Sequence, residues 1–81
     1  MKVFYTFGSD EKYPHYGGWV EVEANSVQEA HEIFRAHYPD RVPGILNCAF
    51  YYTEDEFNAT NMPAGGNWGG FCHRQLKATG R

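Results

Sequence analysis

Apolar and polar positions change their period several times along this chain, and each change marks an element. "KVFYTF", residues 2–7, alternates and is rich in β-branched and aromatic residues, so it predicts a first strand that Gly8-Ser9-Asp10 ends. A polar stretch punctuated by Pro14, Gly17 and Gly18 follows. "WVEVEA", residues 19–24, then places Trp19, Glu21 and Glu23 on one face and Val20, Val22 and Ala24 on the other, the pattern of a half-buried strand. Ser26 with Glu29 three residues later forms a capping box. Val27, Ala30, Ile33, Phe34 and His37 recur at helical spacing behind it, and Pro39 pushes Tyr38 out of helical geometry, so the helix predicted here spans 27–37. His37 is expected to border the core and His31 to face solvent.

After the turn "PDRVPG", the run "ILNCAFYY", residues 45–52, is too apolar for a loop and predicts a central strand covered on both faces. Thr53 with Glu56 repeats the capping-box pattern, giving a short second helix in "EDEFNAT" with Phe57 turned inward and Asn61 at its end. A glycine-rich loop leads into "GFCHRQLKA", residues 70–78, whose alternation fits a closing strand. Residues 1–81 therefore read as a small single α+β domain, a β-β-α-β-α-β sandwich with a mainly antiparallel sheet and its helices on one face.

Composition sharpens this picture in one respect. An 81-residue domain buries only about 60% of its unfolded surface, so its core is thin, yet the chain carries six Tyr, six Phe and two Trp. Rings beyond what that core encloses are expected at the surface, in contact with a ligand or partner. A formal net charge of −3 lacks the Lys/Arg excess that phosphate neutralisation demands, which argues against direct nucleic-acid binding. No apolar run approaches the roughly 18 residues of a membrane span, and Met1-Lys2-Val3 leads straight into strand-like sequence, so a cytoplasmic protein is expected. Cys48 and Cys72 read as small buried hydrophobes in a reducing compartment.

The densest candidate chemistry lies in "NMPAGGNWGGFCHR", residues 61–74. Successive glycine amides there resemble an anion-binding nest, with Arg74 close by to hold a phosphate. No Lys-Ser/Thr pair and no helix follows, so the stretch matches no phosphate-loop motif, and a plain connection into the last strand explains the glycines as well. Cys48, Cys72, His37 and His73 are of zinc-ligating type, but their spacing forms no metal motif, and neither a metal nor another cofactor is expected. Both cysteines sit in apolar strand contexts that disfavour a thiolate, so no catalytic residue is assigned. Glu54-Asp55-Glu56 suits the first turn of a helix.

The segments "YTFGSD", "GGWVEVEA", "EIFRAHYPDR", "PGILNCA", "YYTEDEF" and "GFCH" resemble a set of small proteins of phages and mobile elements of gut Gram-positive bacteria. What the resemblance implies is an autonomous phage-type product of the kind that blocks host defence by binding. The expectation is therefore a non-enzymatic binding protein that antagonises bacterial immunity by sequestering a nucleotide-derived signal. Tyr5, Tyr16, Trp19 and Trp68 would stack the base. Arg41, Arg74 and the amides of Gly65, Gly66, Gly69 and Gly70 would hold its phosphates, within a homo-oligomer. The alternative is a direct, anti-CRISPR-like protein inhibitor of a defence nuclease or effector, in which Glu21, Glu23, Glu54, Asp55 and Glu56 imitate phosphates. A small enzyme using Cys72 or His73 ranks below both.

Overall fold

Gly17 and Gly18 both take left-handed backbone angles, φ 65° and 66°, and a succession of two such residues is open only to glycine without strain. They deliver the chain into strand β2, Trp19–Glu23, which runs antiparallel to β1, Lys2–Thr6. The computed structural model describes residues 1–8, 10–60 and 72–78. Val3 pairs with Val22 and Tyr5 with Val20, and all four are fully buried on one face of the sheet. That is the face the alternation of "WVEVEA" predicts.

Helix α1, Val27–His37, covers this face. The Ser26 hydroxyl accepts from the Glu29 N–H at 3.1 Å, and the Glu29 carboxylate reaches back to the Asn25 N–H at 2.7 Å, so two amides at the helix entrance are satisfied. Tyr38 leaves helical geometry before Pro39, at φ −132° and ψ 83°, its N–H donating to the Phe34 carbonyl at 2.8 Å. Ala30, Phe34 and Tyr38 turn inward onto Val3, Tyr5, Phe7, Val20 and Val22. Each of these large side chains contributes about 1.5–3 kcal/mol by leaving water.

Strand β3, Phe50–Thr53, pairs antiparallel with β1, and Thr53 starts helix α2, Glu54–Asn58. The Glu56 carboxylate accepts from the Thr53 N–H at 3.0 Å and from its hydroxyl at 3.1 Å. Strand β4, Cys72–Lys77, then lies parallel to β2, with Leu76 opposite Val22 sealing the core. The sheet order is β3-β1-β2-β4, mixed rather than uniform, in an α+β fold.

Three expectations need correction. The helices lie on opposite faces: Phe57 of α2 stacks on Phe4 at 4.2 Å, with Trp19 and Tyr52 beside it, while α1 packs on the face of Val3 and Tyr5. The run 45–52 is not a central strand, because only Phe50–Thr53 is extended and it stands at an edge of the sheet. Turns take up its first half. The Asp40 carboxylate accepts from Arg35 Nε at 3.0 Å and from the Gly44 N–H at 3.2 Å, holding Val42 to Ile45 as a tight turn, and the Cys48 N–H donates to the Leu46 carbonyl at 2.8 Å in a second. Finally His31, not His37, reaches inward, since Tyr38 occupies the last buried position of the stripe and leaves His37 exposed.

Phe34→Ala should lower unfolding free energy by about 3–5 kcal/mol in urea titration, because the ring is fully buried against Tyr5 and Phe7. His37→Ala, on an exposed site, should stay within about 0.5 kcal/mol of the parent.

Candidate functional site

Tyr5 carries a hydroxyl into the fully buried layer, and that group requires a partner. It finds Nδ1 of His31 at 2.8 Å. Burial, ahead of the nearby Cys48 and Tyr51, pushes the Tyr5 hydroxyl well above its ordinary value, so it keeps its proton, and the imidazole tautomer sets which of the two groups donates. One helical turn further, Arg35 lies on the same side of α1, held through Nε by Asp40 while 38% of its side chain stays exposed.

These two side chains line a cleft of about 420 Å³ together with Ile45, Cys48, Phe50 and Tyr51. Tyr51 stands edge-on to His31, with centroids 4.6 Å apart, and Phe50 is 57% exposed. A guanidinium and an imidazole one helical turn apart thus share a hollow with aromatic and aliphatic surface, a combination suited to a flat ring bearing an anionic group. The cleft also explains the thiol: Cys48 is buried, and burial pushes it up to about 12, far from a nucleophilic thiolate at neutral pH.

A second polar cluster lies where residues 10–18 meet β4. The rings of His15 and His73 stack at 4.1 Å, 8° from parallel, with Phe7 edge-on to both. His73 Nε2 lies 2.7 Å from the Gly17 carbonyl, which only accepts, so this nitrogen carries a hydrogen. His15 Nε2 meets the Tyr38 hydroxyl at 3.0 Å, and the Arg74 guanidinium stands 6.0 Å from the Tyr38 ring centre. Burial, then the positive fields of His73 and Arg74, hold His15 below its ordinary range.

The sequence-predicted site residues are not gathered in one place. Tyr5 is fully enclosed, its ring stacked on Phe34 at 4.2 Å, so it offers no platform to a ligand. Trp19 packs edge-on against Phe57 on the α2 face, whereas Arg74 sits beside Tyr38 on the α1 face. Tyr16 is exposed, and Arg41 lines a separate hollow of about 170 Å³ with Lys12 and Tyr13. Gly65, Gly66, Trp68, Gly69 and Gly70 lie outside the described residues, as does Asn61. Glu21 is half-buried and 3.5 Å from Lys2, while Glu23, Glu54, Asp55 and Glu56 are exposed. Cys72, half-buried, donates to the Arg74 carbonyl at 3.0 Å, and burial raises its thiol as well.

His31, Arg35 and Phe50 were absent from the predicted site. The i, i+4 spacing of His31 and Arg35 was the readable signal; the pairing of His15 with His73 left none, because the two are distant in sequence and meet through the fold. Comparison with family models, with curated proteins and with solved structures finds no match to this chain. No group of three or more metal-ligating side chains converges among the described residues. Nor is any helix among them long and apolar enough to cross a membrane.

His15 and His31 are both depressed, chiefly by burial, so around their ordinary value of 6.5 the unfolded chain binds more protons than the folded one. Stability is then complete above that value and falls as pH drops through it toward the lower folded values. The melting temperature should decline from about pH 7 to about pH 5, and His15→Gln or His31→Gln should flatten the decline.

Proposed function

We propose that this is a non-enzymatic binding protein that holds a nucleotide-derived ligand in the cleft between α1 and β3. The ligand's base lies against Tyr51, and its phosphate faces Arg35 and the imidazole of His31. The observation that carries this reading is that a helix-borne His–Arg pair and exposed aromatic surface line one cleft of about 420 Å³, within the roughly 300–1,000 Å³ range of small-molecule sites. The phosphate-holding role given to Arg74 passes to Arg35, which lies in a hollow beside exposed rings.

Sequestration rather than turnover is the proposed mode. Cys48, the nucleophile type in the cleft, is held as a thiol, and His31 is occupied at Nδ1 by Tyr5. Antagonism of bacterial immunity in the cytoplasm is the biological setting proposed, on the strength of the sequence resemblance. Direct inhibition of a defence protein is a second reading, supported by the exposed apolar side chains Val42, Ile45, Phe50 and Tyr51.

Calorimetry of the purified protein against cyclic dinucleotides and ADP-ribose derivatives tests the primary reading, followed by denaturation and recovery of the ligand. One of these should bind and be recovered unaltered. Tyr51→Ala and Arg35→Ala should each weaken it about tenfold or more, roughly 1.4 kcal/mol, while Arg74→Ala binds as the parent does. Recovery of a chemically altered ligand refutes sequestration. An absence of binding across the panel moves the assignment to the protein-inhibitor reading.

A further inference from the structure

The two edges of the sheet differ in kind. β4 ends the sheet on one side with "CHRQLK", whose Arg74, Gln75 and Lys77 are exposed, and charges of this sort keep an edge from pairing with another strand. β3 ends it on the other side with "FYYT", which has no charge, no proline and no glycine. Among the described residues β3 pairs on one side only, with β1. We infer that the outer edge of β3 is a self-association surface, on which two copies of this chain pair Phe50–Thr53 antiparallel about a two-fold axis at Tyr51.

The register follows from the faces of the strand. Tyr51 stands on the α1 face, near Tyr5 and His31, while Phe50 and Tyr52 stand on the α2 face, in contact with each other and, through Tyr52, with Phe57. A two-fold axis perpendicular to the sheet keeps each face continuous, and directly opposed residues must then share a face. Centring the axis on Tyr51 satisfies this. Tyr51 meets its own counterpart, and Phe50 of each copy meets Tyr52 of the other, so each of these cross-strand pairs is aromatic. Centring it on Tyr52 instead opposes Phe50 to Glu54, which already belongs to α2.

The occupant is a second copy because the edge is complementary to itself and no like charges face each other in the paired strands. Area sets the strength. Phe50 is 57% exposed, Tyr51 39%, Ile45 60% and Val42 53%, and the first three line one continuous hollow. With side chains of about 150–250 Å² each, this apolar surface is on the order of 400 Å² per copy, about half of the roughly 800 Å² that a stable partner face uses. The dimer is therefore reversible, and its formation does not depend on a ligand in the cleft.

Sedimentation velocity of the full chain without ligand tests this. The sedimentation coefficient should pass from monomer toward dimer between about 10 μM and 1 mM, and Tyr51→Lys should remain monomeric across that range with an unchanged far-ultraviolet spectrum. Mild oxidation of Tyr51→Cys should give a disulfide-linked dimer, whereas the parent, with its native Cys48 and Cys72, should not. A parent that stays monomeric at about 1 mM overturns the inference, as does a dimer that survives Tyr51→Lys. Should the lysine variant fail to fold, the cysteine variant decides alone: no linked dimer on oxidation also overturns it.

Discussion

Tyr5 brings a hydroxyl into the middle of a thin core, and much of the molecule is arranged around satisfying it. The ring lies in the central strand β1, opposite Val20 on one side and Tyr51 on the other, and stacks on Phe34 at 4.2 Å and 13°. Because an unsatisfied buried hydroxyl costs on the order of 1–3 kcal/mol, α1 must present a polar partner at one position, and His31 is that partner. The same hydrogen bond holds in place the imidazole that walls the cleft. The core and the candidate site thus share one contact.

The distribution of rings follows from this arrangement. Phe4, Tyr5, Phe7, Phe34, Tyr38 and Phe57 fill the two layers between sheet and helices, and Tyr13, Trp19 and Tyr52 close their margins. Among the described residues, what is left over gathers on β3, where Phe50 and Tyr51 stand beside Ile45, with Tyr16 exposed elsewhere. This exposed aromatic surface collects at a sheet edge beside His31 and Arg35 of α1, away from Trp19 and Arg74.

Much of the architecture was legible because it is written in local pattern. The capping residues Ser26 and Thr53 mark the two helix starts, Pro39 marks the end of the first, and the alternation around Val20 and Val22 marks the buried face of β2. What escaped depends on contacts between residues far apart in sequence. "ILNCAFYY" reads as one strand, and nothing local reveals that Asp40 captures Arg35 and Gly44 in a turn that ends at Ile45, or that Cys48 then turns back on Leu46. Tyr5, in an alternating strand, is equally readable as buried or displayed until α1 is placed over it. The site shifted for the same reason, since His31 meets Tyr5 across 26 positions and His73 meets Gly17 across 56.

A sheet whose two margins are chemically unlike has a direction in which it is allowed to lengthen and one in which it is not. Joining copies through the aromatic margin uses that margin up in both, and what remains facing outward at either end is a strand bearing Arg74 and Lys77. In the dimer inferred above, growth therefore terminates after a single step, giving a closed particle in place of a fibre. There the cationic fringe of β4 is the stop signal for assembly, and an 81-residue chain displays bare rings on an edge strand without polymerising.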